Sequence, residues 1–183
     1  MRWLSEAYFR LTGWTFAGSV PDEPKLVVIG YPHTSNWDFF AYLAVVGHFG
    51  LKTSFLMHEG LSVGPLGWLL RRMGGIAAQG GSKQVVATMV ETFKKVDEVV
   101  LVIAPEGTRA GGSTWKSGFW RIADGADVPV LMGFVDRKTK QLGFGPCRRI
   151  DGDPERWMNE ARAFYTDKTG LKPQNCGPLE LAH

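Results

Sequence analysis

The sequence predicts an α/β fold: a single domain with a mostly parallel β-sheet flanked by helices, and an amphipathic helix at the N-terminus. Three observations predict it. Short apolar runs alternate with stretches of helical spacing, the order that βαβ units produce. Two of those runs, 26–30 and 98–103, pass directly into loops of Gly, Pro and polar residues. The 183 residues fit one domain, with no repeat or linker to divide them.

Each element follows in order. Residues 1–18 place Trp3, Leu4, Tyr8, Phe9, Leu11, Trp14 and Phe16 on a wide aromatic face beside Arg2 and Arg10. That pattern suits a helix lying on a membrane surface or one packed on the domain. LVVIG (26–30) reads as a buried strand and 37–49 as a helix, so together they form a β-loop-α unit. TSFLMH (53–58) is a second strand, Pro65 opens a short helix to 73, and GIAAQ (75–79) is a third strand. Over 82–96, Val85, Val86, Met89, Val90 and Phe93 share one stripe opposite Lys83, Glu91, Lys94 and Lys95. A strand then runs through 98–107 into a Pro/Gly turn, a helix spans 115–124, and 128–135 is another buried strand. Residues 136–150 form a ribbon at the sheet edge, which completes a core over 26–150, the part that carries the two loops described below. Asp153 and Pro154 cap a last helix, and the tail after Gly170 is coil, giving a C-terminal helix and tail over 151–183.

Composition excludes several classes. With 44% hydrophobic residues and seven Trp against 21% charged, the chain is neither disordered nor fibrous. A net charge of +3 without a Lys/Arg run does not suit nucleic acid. Cys147 and Cys176 lie far apart outside any C-x-x-C spacing, so no zinc ribbon or disulfide framework is indicated and a reducing cytoplasm is expected. Arg2, Glu6 and Arg10 interrupt the N-terminus, which does not read as a signal peptide. The longest apolar window, 39–50, falls short of the roughly 20 residues a membrane-spanning helix needs. GGSK lacks the Gly-Lys-Ser/Thr of a P-loop, and His48 and His58 lack partners at zinc spacing, so no metal site is predicted.

Chemistry gathers in two loops. YPHTSNWD (31–38) carries His33 and Asp38 between a strand and a helix. A neutral imidazole can take a hydroxyl proton during attack, and a carboxylate on its other nitrogen fixes the tautomer and stabilises the imidazolium. The spacing lets Asp38 fold back from the first helical turn, with Asn36 or Ser35 as a cap, but it also fits a first-turn acid beside an ordinary loop histidine. APEGTR (104–109) presents a carboxylate, a permissive turn, a hydroxyl and a guanidinium. Such a loop suits an anion, although Glu106 and Arg109 at a plain surface turn would simply pair with each other. Both loops leave a strand at its carboxyl end, where ligands collect in open α/β sheets.

HTSNWD followed by APEGTR, in that order, resembles the motif pair of the glycerolipid acyltransferases, of the lysophosphatidic acid acyltransferase type. WKSGFWRIA resembles the Lys-x-Gly helix of that family, and ADVPVLMGFV resembles its Val-Pro-Val strand, so the likeness covers 26–135. The resemblance implies an activity like that of a 1-acyl-sn-glycerol-3-phosphate O-acyltransferase. An acyl-CoA or acyl carrier protein thioester serves as co-substrate, with no other cofactor and no metal, and the acyl group passes to the hydroxyl of a lysolipid acceptor. It implies His33 as general base and Asp38 as its orienting partner. Glu106, Gly107, Thr108 and Arg109 hold the acceptor together with Lys116, and Thr34, Ser35 and Asn36 are candidates for stabilising the oxyanion. The chain departs from the family where a strand-end Arg helps bind glycerol phosphate: GGIAAQGGS has Gln79 and Gly80 there. Arg71 and Arg72 just upstream are either substitutes for it or a basic helix end facing its own carbonyls. Entry of an acyl chain and a lysolipid implies peripheral contact with the inner leaflet, to which LSVGPLGWLL adds a second apolar surface. The alternatives are an acyl-thioesterase, in which His33 activates water, and a non-catalytic lipid-binding module of the same fold.

Overall fold

A computed structural model describes residues 2–109 and 114–182. Its centre is a seven-stranded sheet in the order β1-β7-β6-β2-β5-β3-β4. The strands are β1 (Thr15–Ala17), β2 (Lys25–Tyr31), β3 (Thr53–His58), β4 (Gly75–Ala78), β5 (Val99–Ile103), β6 (Val130–Asp136) and β7 (Gln141–Arg148). β7 runs antiparallel to β6 and β1 pairs parallel to β7, while the other five strands are mutually parallel. The mostly parallel sheet is as predicted.

Alternation along β2 divides the core. Val27, Ile29 and Tyr31 face one side, with α4 (Ser82–Lys95), α5 (Gly118–Ala126) and α6 (Pro154–Tyr165) packed there. Leu26 and Val28 face the other, beneath α1 (Arg2–Leu11) and α2 (Asp38–His48). Both faces of β2 are buried, which is why it reads as an unbroken apolar run. A short α3 (Gly64–Arg72) joins β3 to β4. Pro154 enters the first turn of α6 after Asp153, whose side chain accepts the N–H groups of Glu155 and Arg156, as the sequence suggested.

Four expectations change. The ribbon over 136–150 is not the sheet edge, because β1 pairs along the outer side of β7. The N-terminal aromatic face does not extend to 18: α1 ends at Leu11, and Trp14 and Phe16 lie beyond it, with Phe16 in the edge strand β1. Phe9 is buried against Trp14, whereas Trp3, Leu4, Tyr8 and Leu11 are exposed, so the helix both packs on the domain and shows an apolar face. The helix expected from 115 begins at Gly118, because Trp115 is fully buried and pairs instead with Leu181. The tail after Gly170 is anchored: Trp115 N–H donates to the Glu180 carbonyl at 2.7 Å and Ala182 N–H to the Trp115 carbonyl at 2.7 Å.

Candidate active site

β2 and β5 are parallel neighbours with Ile29 opposite Ile103, so the loops that follow them leave the sheet side by side. The first loop is organised by Asp38. Its Oδ2 accepts the N–H of Thr34 at 2.6 Å and of Ser35 at 2.7 Å, and lies 3.2 Å from His33 Nδ1. A carboxylate at the start of α2 thus turns back and closes the loop that precedes it, in keeping with the helix dipole. The side chain of Asp38 is 8% exposed and that of His33 24%. With Nδ1 held by the acid, Nε2 is the nitrogen able to take a proton. The helix cap is Trp37, without a side-chain cap bond, and Ser35 Oγ accepts the Trp37 N–H at 3.2 Å.

This geometry revises the oxyanion candidates. The N–H groups of Thr34 and Ser35 point to Asp38, and Thr34 Oγ1 accepts the Lys172 N–H at 3.1 Å. Both residues are buried, so only Asn36 of the three is exposed.

Glu106 also occupies a different place from the one expected. It is 1% exposed; Oε2 accepts the His33 N–H at 2.6 Å and Oε1 the Gly177 N–H at 3.2 Å. Burial raises its pKa above the ordinary carboxylate value, against the pull of those two N–H groups. Glu106 is therefore a strut between the two loops and not an exposed ligand. Gly107, Thr108 and Arg109 continue outward, Gly107 and Arg109 being exposed. Gly107 has φ +63, and a Cβ there would lie 2.8 Å from Lys116 Nζ, so the Lys116 side chain lies across this turn. Lys116 N–H also donates to the Pro105 carbonyl at 2.8 Å. Lys116 and Arg109 thus present two cations on the second loop.

Sequence reasoning missed two contributors. One is the tail, whose Asn175 Nδ2 donates to the carbonyls of Thr34 and Arg109. The other is a cavity of ≈ 390 Å³ lined by Ser82, Lys83, Val86, Ser117, Gly118 and Arg121. It lies between the N-termini of α4 and α5, the helices that follow β4 and β5. Lys83 fits the polar face of α4, so no pattern in the sequence pointed to this cavity. Arg71 and Arg72, the candidate substitutes, lie away from the two loops. They end α3, which leads into the amino end of β4, and they engage the Ser62 carbonyl and the Trp68 ring.

Comparison with known proteins bears on this arrangement. A family model described as Acyltransferase matches residues 15–132. The chain belongs to the acyltransferase family. The fold of this acyltransferase is similar to the crystal structure of the 1-acyl-sn-glycerophosphate (LPA) acyltransferase PlsC from Thermotoga maritima, with a TM-score of 0.60 over 90% of this chain and 75% of that one, at 19% identity. No curated protein matches the sequence. The matched span of the acyltransferase model includes both loops that meet at His33.

Proposed function

We propose that the protein transfers a fatty acyl group from an acyl-CoA or acyl carrier protein thioester to the hydroxyl of a lysophospholipid-like acceptor. The observation that carries this reading is the 3.2 Å contact of Asp38 Oδ2 with His33 Nδ1, in a loop tied by Glu106 to the second motif. His33 Nε2 removes the acceptor hydroxyl proton as the oxygen attacks the thioester carbonyl. Asp38 stabilises the imidazolium. When the tetrahedral intermediate collapses the C–S bond breaks, and the imidazolium returns its proton to the leaving thiolate. Exposed Asn36 is the remaining oxyanion candidate from the first loop.

Arg109 and Lys116 on the second loop, and Lys83 and Arg121 in the neighbouring cavity, are the cations suited to the anionic part of a substrate. Lys83 and Arg121 supply positive charge near the point where the family's strand-end Arg is missing. The exposed Trp3, Leu4, Tyr8, Leu11, Trp37 and Phe40, together with Leu61, Val63, Leu66 and Trp68, support peripheral contact with a lipid surface. Among the described residues no helix is long and apolar enough to cross a membrane. Arg2 bonds to the Leu51 carbonyl and Arg10 to Glu6, and the Arg10 side chain stays exposed beside this apolar face.

The test is to incubate the purified protein with labelled acyl-CoA and lysolipids with and without phosphate head groups, and to follow the acylated product by mass. Product formation that His33→Ala abolishes supports the reading. Near-normal turnover in that variant, or fatty acid release indifferent to any acceptor, refutes it.

A further inference from the structure

We propose that Asn175 is a positioning residue that sets the spacing between the base and the acceptor loop, an inference that rests on the acyl-transfer reading above. Its Nδ2 donates to the Thr34 carbonyl at 3.1 Å and to the Arg109 carbonyl at 3.0 Å. Thr34 follows the base in sequence, and Arg109 ends the second motif. One amide therefore uses both of its hydrogens to clamp the backbones of the two loops together. An amide suits this position because two carbonyl oxygens require two donors. A neutral –NH₂ supplies both without adding a charge to a site that already holds Asp38 and Glu106.

The segment carrying Asn175 is itself fixed on both sides. Ahead of it, the Arg137 N–H donates to the Thr169 carbonyl at 2.8 Å, and Lys172 N–H reaches Thr34 Oγ1. Gly170 packs so closely on Thr34 that a Cβ there would lie 2.6 Å from its side chain. Behind it, Gly177 N–H donates to Glu106 and its carbonyl accepts the Tyr31 hydroxyl at 2.9 Å. Arg162 Nε then holds the Leu179 carbonyl at 2.9 Å, ahead of the bridge between Trp115 and Leu181. Asn175 is thus presented from a braced strap, and its amide transmits that brace to His33 and Arg109. Glu106 joins the strap to the first loop from a second direction. Loss of the amide frees the second loop at Arg109 while the contact of His33 with Asp38 remains.

This division gives the inference its signature. Acyl transfer requires base and acceptor loop at a fixed separation, whereas hydrolysis by water requires the base alone. Asn175→Ala removes the clamp, and Asn175→Asp sets a carboxylate against two carbonyls in nearly the same volume. The experiment measures, below the unfolding temperature, the rate of acyl transfer to a lysolipid and the rate of acyl-CoA hydrolysis without acceptor. It also measures hydrogen exchange across 31–38 and 104–109. Expected in both variants is a loss of at least tenfold in kcat for transfer, hydrolysis within about threefold of wild type, and faster exchange across 104–109 with 31–38 and β6 unchanged. Parallel losses of transfer and hydrolysis, no loss of transfer, or unchanged exchange overturns the proposal. A wild-type protein without transfer activity refutes the acyl-transfer reading instead, and the exchange data then decide the clamp alone.

Discussion

Replacing Asp38 by Asn tests the base most directly. When His33 takes up a proton, a unit positive charge appears 3.2 Å from Asp38 Oδ2. At that separation and an effective dielectric of about 20, the attraction is about 5 kcal/mol. The imidazole is partly solvated, so the loss is smaller, about 3–5 kcal/mol. At about 1.4 kcal/mol per decade this lowers kcat by about 10² to 10⁴-fold. An Asn oxygen preserves the bonds from Thr34 and Ser35. Its –NH₂ takes the place of Oδ1, which is buried without a partner among the described residues, at a cost of about 1–3 kcal/mol in stability. Asp38→Ala is the poorer probe, because it leaves two buried N–H groups unpaired and loosens the loop itself. The assay is the initial rate of acyl transfer at saturating acceptor and donor, on protein confirmed folded by its thermal midpoint. Folded Asp38→Asn working within about threefold of wild type refutes the reasoning.

Further expectations follow from the same geometry. Burial favours the protonated form of Glu106, so its raised pKa makes a stability contribution that is full below the ordinary value of 4.5 and lost as pH rises through the higher folded value. The thermal-midpoint advantage of wild type over Glu106→Gln therefore shrinks as pH climbs from 4 toward neutrality; a pH series by scanning fluorimetry checks this, and a widening gap contradicts it. Lys83→Ala and Arg121→Ala raise KM for a phosphate-bearing substrate by about 3- to 30-fold each, with kcat within about twofold and a shallower salt dependence; steady-state kinetics at two ionic strengths reads both. Trp3→Ser with Leu11→Ser lowers partitioning onto anionic vesicles by about tenfold or more, since each side chain forfeits about 1.5–3 kcal/mol of burial; flotation measures it, and unchanged binding removes α1 from the contact face.

Much of the fold was legible because periodicity reports burial. β2, buried on both faces, appears as LVVIG, and α4 shows a clean stripe from Val85 to Phe93. The site was legible where chemistry is packed into a short span, as in His33 and Asp38 or the run from Glu106 to Arg109. Roles were less legible than positions. Glu106 sits in a polar motif, yet it is buried, because its partners are backbone N–H groups that no residue type announces. The same holds for the strap: Lys172, Asn175 and Gly177 contact residues more than sixty positions away, and a Pro/Gly-rich tail carries no periodic pattern to reveal it. Trp115 shows the reverse error, since an aromatic beside a helix was counted into that helix although the tail claims its backbone.

The layering also bears on how an acceptor lies in the site. The exposed apolar side chains of α1 and the first turn of α2 belong to one face of the sheet, where a shallow groove is lined by Leu4, Tyr8, Trp37 and Phe40. The cavity with Lys83 and Arg121 belongs to the opposite face. β2 runs through the middle of the sheet and delivers His33 at its carboxyl end, between the two. A molecule with a hydrocarbon chain at one end, an anion at the other and a hydroxyl between them matches that order, and on the proposed reading a lysolipid meets all three. Shortening the acceptor's chain and removing its charge then act on separate regions, so their free-energy costs add. A double cycle of four acceptors, long or short chain with or without phosphate, measures the sum in kcat/KM. Additivity within about 0.5 kcal/mol supports a molecule spanning both faces, and a coupling well beyond that value means that chain and anion share one region and that the layered placement is wrong.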